Sequence, residues 1–196
     1  MLFRSRVGAG MNLLNLKTGC WDPEIADAVA PGLRSKLPHA GPADQIIGTI
    51  HPYFIKYGFS PACQVAVWSG DNPSSLVGVG ATTPGMAVIS LGTSDTLFGA
   101  MRDFTTDTDG YGHVFGNPAG GFMSLTCFVN GSLAREEMRC RYGVEWAEAG
   151  RLIGAEPPGN RGNRMLPYIF NEITPKAEAG AIVEGDAAFV AGKAAP

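Results

Sequence analysis

A short run of alternating polarity, Cys63 to Trp68 (CQVAVW), passes without any linker into Ser69-Gly70-Asp71-Asn72-Pro73. Few folds accept that junction. A period-two stretch is a strand, and an acidic residue followed closely by proline opens a helix, so the backbone turns from strand to helix within this motif. Such junctions belong to α/β folds, where side chains at the carboxyl ends of strands meet ligands.

The flanking sequence keeps the same alternation. Met11 to Leu16 reads as a strand stopped by Lys17-Thr18-Gly19. Asp22-Pro23-Glu24 then supplies an N-cap, a proline at the first helical position and a first-turn acid for a helix through Ala30. Pro31, Pro38 and Pro42 break the next stretch into loop, and His51 to Tyr57 forms a short helix closed by Gly58. Beyond Asp71, with Pro73 in the first helical position, the small residues Ser74, Ser75, Gly78 and Gly80 predict a tightly packed helix start. Met86 to Leu91 and Thr96 to Met101 are the arms of a hairpin around Gly92-Thr93-Ser94-Asp95. Phe122 to Phe128 is a further strand. Gly131 to Tyr142 is a helix with Leu133, Glu136, Glu137 and Arg141 at surface-to-core spacing, and Trp146 sits in a second amphipathic stretch. The loop 157–163 comes next. Ala181 to Val190, in an alanine-rich tail, begins a plausible helix.

Composition narrows the function. With 45% hydrophobic and 17% charged residues, the 196-residue chain has room for one good core or halves of two. Its formal charge of -3 is spread without acidic or basic blocks, so neither a nucleic-acid surface nor a polybasic membrane patch is expected. No apolar run approaches the roughly 18 residues of a membrane span. The cysteines Cys20, Cys63, Cys127 and Cys140 lack C-x-x-C spacing and stand apart from the histidines, which argues against a metal cluster and fits buried, reduced thiols. The expectation is a soluble, cytoplasmic protein.

Three places can carry chemistry. Asp71, at the end of a buried strand and the start of a helix, is well placed to accept a proton, since the helix terminus favours negative charge there; an N-cap in a G-D-N-P turn is the plainer reading. Gly92-Thr93-Ser94-Asp95 gathers backbone N–H groups and hydroxyls in one curve, as a phosphate cradle requires, but it is also ordinary hairpin chemistry. The segment 159–163, with Arg161 and Arg164, is glycine-rich without matching a phosphate loop of known spacing. Trp146 is either a stacking platform for a base or a core residue.

Taken in order, these segments resemble the xylulokinase branch of the FGGY carbohydrate kinases. The resemblance is carried by Gly10-Met11-Asn12-Leu13-Leu14, the Trp21 segment, Tyr57-Gly58-Phe59, Ser69-Gly70-Asp71-Asn72-Pro73-Ser74-Ser75-Leu76, Ile89 through Phe98 (ISLGTSDTLF), Phe128 through Glu136 (FVNGSLARE), Gly159 to Asn163 and Glu172-Ile173-Thr174-Pro175. It implies a partial two-lobed fold of the actin, Hsp70 and hexokinase type, related to ribonuclease H. Residues 1–82 would belong to the sugar lobe and 83–196 to the nucleotide lobe. Asp71 would be the general base for a D-xylulose hydroxyl and Asn72 a sugar ligand. Gly92, Thr93 and Ser94 would face the phosphates of ATP, brought in with Mg²⁺, and Trp146 would lie against the nucleotide.

Full members of the family run well over twice this length. The resemblance therefore also implies a piece without the N-terminal D-x-G-T-type phosphate loop or the C-terminal glycine-rich adenosine loop, neither fully stable nor able to turn over substrate alone. Two other functions fit the same residues. One is a family kinase for another pentulose or a polyol; the other is a non-catalytic sugar- or nucleotide-binding module.

Overall fold

A computed structural model of the chain describes residues 3–4 and 8–186. It is a mixed α/β structure in which the chain divides into two compact units, Met1–Val88 with Phe98–Leu125, and Ile89–Leu97 with Thr126–Pro196.

The first unit opens with β1 (Phe3–Arg4) and β2 (Leu14–Asn15), the latter paired antiparallel with β3 (Cys20–Trp21). The turn between β2 and β3 is stabilised by Asn15, whose Oδ1 accepts from Lys17 N at 3.0 Å. Helix α1 (Pro23–Val29) begins as its sequence dictates: the Asp22 carboxylate accepts from Glu24 N and Ile25 N, both at 3.1 Å, and caps two otherwise orphaned amides. Pro23 occupies the first turn, where its missing N–H costs nothing.

The proline-broken stretch after α1 contains more structure than its composition predicts. β4 (Ala40–Gly41) pairs parallel with β1, and β5 (Ile46–Thr49) pairs antiparallel with β6 (Gln64–Ala66) through a bulge between Ile46 and Gly48. Between β5 and β6, a 3₁₀ turn over Pro52–Tyr57 is capped by His51, whose Nδ1 accepts from Tyr53 N at 3.2 Å, and is closed by left-handed Gly58. The expected helix is there, in its tighter form.

β6 leads directly into α2 (Asp71–Gly78), and β7 (Ala87–Leu91) follows. β8 (Asp95–Met101), β9 (Gly112–Gly116) and β10 (Phe122–Phe128) complete a four-stranded sheet of order β7-β8-β10-β9. The expected hairpin is present, with Ala100 N donating to Met86 O and Gly85 N to Ala100 O, both at 2.9 Å. The core of the first unit is mainly apolar, with the polar Asn117 and Ser69 also buried. Ala26, Leu76, Phe98 and Met123 are buried, together with Leu13, Val67 and Leu125.

The second unit contains α3 (Ser132–Arg141), α4 (Trp146–Ala155), β11 (Asn163–Tyr168), the short pair β12 (Glu172–Ile173) and β13 (Lys176–Ala177), and β14 (Ala181–Asp186). Here one expectation fails. Residues 181–186 form a strand, not a helix: β14 runs antiparallel to β11 from Asn163↔Asp186 to Tyr168↔Ala181, as the β-branched Ile182 and Val183 favour. The rest of that expected helix, 187–190, lies outside the described residues. On α3 the buried residue is Ala134, while Leu133 faces outward.

Two of the cysteines, Cys20 and Cys140, are exposed, contrary to the expectation of buried thiols; all four are unbridged. Among the described residues no helix is long and apolar enough to cross a membrane, and no group of three or more His, Cys, Asp or Glu could hold a metal ion.

Candidate active site

In the first unit the backbone leaves β6 through buried Val67 and Ser69 and enters α2 at Asp71. Gly70, in extended conformation, takes the N-cap, so Asp71 is the first helical residue and Pro73 the third. Proline therefore sits two positions later than its N1 preference suggests, which its fixed φ tolerates within the first turn because amides there lack helical partners. The Asp71 carboxylate is exposed, and its Oδ1 accepts from the Asn72 N–H at 2.7 Å. That contact orients the carboxylate from within its own turn and leaves the second oxygen available to a hydroxyl. Asn72 is half-buried beside it.

The strand supporting this turn differs from expectation. β6 belongs to a two-stranded antiparallel ribbon and alternates between exposed and half-buried positions; it is not a buried strand. What fixes the junction is α2 itself, anchored by fully buried Leu76 and by Pro73. Alongside α2 lies a cleft of about 550 Å³ bordered by Asp44, Trp68, Ser69, Ser74 and Val77. Ser69 is 5% exposed and its Oγ has no hydrogen-bond partner among the described residues. Asp71 and Asn72 do not line this cleft.

In the second unit the Gly92-Thr93-Ser94 turn joins β7 to β8, with Thr93 and Ser94 exposed. The start of α3 packs onto its backbone. Ser132 N donates to Gly92 O at 2.8 Å. A Cβ on Gly131 would lie 2.7 Å from both Thr93 O and Asp95 N, and 2.9 Å from Gly92 O, so only glycine lets the helix approach the turn so closely. Asp95, next after the turn, accepts a two-pronged bond from Arg135, with Nη1 to Oδ2 at 2.7 Å and Nη2 to Oδ1 at 2.9 Å. The Arg135 hydrogen bond holds the Asp95 carboxyl below the usual carboxylate range despite its partial burial.

Behind α3 stands a second carboxylate that sequence inspection treats only as part of a motif. Glu172 is 4% exposed and faces no cation in an ion pair among the described residues; amides satisfy it instead. Its Oε1 accepts from Val129 N at 2.8 Å and Ile173 N at 2.8 Å, and its Oε2 from Asn130 N at 3.1 Å and Asn130 Nδ2 at 2.9 Å. Asn130 continues the network through Phe170, donating to its carbonyl at 3.0 Å and accepting from its N–H at 2.9 Å. Burial by itself would raise the Glu172 pKa, but the bonds from the Asn130 side chain and from the Val129, Asn130 and Ile173 amides outweigh it and leave the carboxyl below its ordinary value.

Trp146 begins α4 and is 55% exposed, so the core reading of this residue does not hold. Its ring lies over the Arg139 guanidinium, 5.4 Å from the centroid, and Arg139 is fixed by Glu136 and by the Val144 carbonyl. Trp146, Asp95, Arg135, Tyr142 and Ile153 line one cleft of about 640 Å³. The structure thus brings Trp146 and the residue that ends the Gly92-Thr93-Ser94 turn to a common cavity with apolar walls and two arginines. In the segment 159–163, Arg161 adopts a left-handed conformation and pairs with Glu156 at 3.3 Å.

No protein-family model matches the chain. Curated relatives do. The chain is 40% identical over 177 residues to xylulose kinase 2 of Arabidopsis thaliana, an alignment covering 88% of the chain and 31% of that protein. It is 39% identical over 173 residues to the xylulose kinase of Rattus norvegicus, covering 86% and 32%. Among solved structures, a xylulose kinase from Brucella ovis superposes with a TM-score of 0.79 at 21% identity, covering 94% of this chain and 38% of that one. The fold is that of the FGGY carbohydrate kinases. Over the part it spans, about a third of the length of the curated relatives it matches, the chain is a homologue of the xylulose kinases.

Proposed function

We propose that the chain carries the general-base part of an ATP-dependent D-xylulose kinase. The observation that supports this most strongly is the 40% identity to a xylulose kinase across 88% of the chain, a stretch that includes the turn presenting Asp71. Asp71 accepts the proton of the attacking D-xylulose hydroxyl as the oxygen bonds to the γ-phosphorus of Mg·ATP. The bond to the bridging oxygen breaks, and D-xylulose 5-phosphate and ADP leave. A weak base suffices, because the transition state is loose and orientation of the hydroxyl matters more than proton affinity. Asn72 hydrogen-bonds the sugar. Gly92, Thr93 and Ser94 direct backbone N–H groups and hydroxyls at the phosphates, and Trp146 lies against the base of the nucleotide. Magnesium enters with ATP as part of the substrate.

In this reading residues 1–82 are sugar-lobe sequence and 83–196 nucleotide-lobe sequence. The protein works in the cytoplasm on small molecules, without nucleic-acid or membrane partners.

The test is a chimera in which this chain replaces the matching third of the rat xylulose kinase, supplied with Mg·ATP and a panel of pentuloses and polyols. ADP release that depends on D-xylulose above the other sugars is expected. A chimera that folds and binds ATP but releases ADP with another polyol in preference would overturn the substrate assignment.

A further inference from the structure

The turn proposed to hold the ATP phosphates is braced more heavily than a hairpin loop requires. Hairpin turns of this length are held by the hydrogen bonds of their own strands. Here the first turn of α3 adds a backbone bond from Ser132 N to Gly92 O and a glycine seat at Gly131 against Thr93 O and Asp95 N. One helical turn further on, Arg135 grips Asp95 with both arms of its guanidinium while the same Nη2 donates to Ser132 Oγ at 2.9 Å. The fork therefore joins the exit of the turn to the start of the helix that its entrance already touches. The Asp95 side chain is largely covered, at 17% exposure.

An exposed ion pair contributes little to stability. A two-pronged pair on a covered carboxylate contributes direction, because the planar fork fixes both partners in one geometry. A phosphate cradle needs that direction: its N–H groups are effective only when they are aimed before the ligand arrives.

We infer that Arg135 is a positioning residue for the Gly92-Thr93-Ser94 turn, acting through Asp95 to hold the backbone donors of the turn in place for nucleotide phosphates. The inference rests on the proposed reading of the turn as phosphate-binding.

The experiment uses the full chain and its R135Q, D95N and D95N/R135Q variants, with R141Q, which breaks the Arg141–Glu137 pair on the same helix, as control. Calorimetry gives the affinities for Mg·ATP and for adenosine, and hydrogen exchange gives the protection of amides 93–95. R135Q is expected to weaken ATP binding about five- to tenfold, the scale of a lost charge-assisted bond after solvent screening. Adenosine binding should stay within about twofold, as for ordinary surface substitutions. D95N should match R135Q, and the double variant should be no weaker than either single one, since both remove the same bond. Exchange at 93–95 should accelerate in all three but not in R141Q. Equal losses for ATP and adenosine would reveal damage to α3 itself and overturn the inference, as would unchanged exchange or additive losses. If the unaltered chain binds neither nucleotide, the phosphate reading of the turn fails, while the exchange data still decide whether Arg135 holds the turn.

Discussion

The two units are held together by different means, and each suits the group it presents. The first is centred on apolar burial, with Leu76, Phe98 and Met123 inaccessible or nearly so, and the Asp71 carboxylate stands exposed at the end of an anchored helix. In the second, the described buried residues include only two apolar ones, Ala134 and Tyr168, beside the polar pair Asn130 and Glu172. Hydrogen bonds there replace much of what packing does in the first unit. A proton acceptor needs a firm base and a free end, which an apolar core under a helix start provides. A ring of backbone donors needs every amide aimed, and directional bonds do this better than non-directional packing.

That contrast can be broken from either side. The largest effect on stability is expected in the first unit. Leu76→Ala removes a fully buried side chain beneath α2 and should cost about 3 kcal/mol in urea unfolding, within the range for core truncations. A cost below about 1 kcal/mol would show that the site collapses easily and that packing does not anchor the Asp71 turn.

In the second unit, Glu172→Gln exchanges one acceptor oxygen for an NH₂ facing amide donors and should cost about 2 kcal/mol at neutral pH. The pH dependence sharpens the point. The folded Glu172 pKa lies below its unfolded value, so its contribution is complete above the unfolded value and disappears as pH falls through the folded one. The native chain should lose stability on acidification through that window, and the Gln variant should show a flatter acid limb. An acid limb unchanged by the substitution would mean that the network does not depend on a charged Glu172.

The sequence shows the first unit more clearly than the second, for a physical reason. Asp22-Pro23, His51 with Gly58, and the junction into Asp71 are local signals, settled by amides no more than three residues away. The brace on the Gly92-Thr93-Ser94 turn links residues 40 apart, and the Glu172 network spans up to 43. No short-range pattern marks such partners. Partners distant in sequence also hide β14, which pairs with β11 from 13 to 23 residues upstream, and leave Arg135 looking like one more surface arginine of α3. The strand-to-helix turn at Asp71 is legible, but the sheet behind it is not, because a short alternating run does not reveal whether its partner is parallel or antiparallel. Trp146 shows the limit of composition: an aromatic in an amphipathic helix suits a core, yet it begins its helix at the mouth of a cleft.

Asp71 as the base is the centre of the functional reading. The most direct measurement is kcat for D-xylulose phosphorylation by the chimera with and without Asp71→Asn, a substitution that keeps the shape of the side chain and removes its basicity. The expected result is a fall in kcat of about 10² to 10⁴, with the affinity for ATP and the stability of the protein unchanged. A variant that retains its kcat would contradict the assignment and return Asp71 to the role of an ordinary first-turn acid.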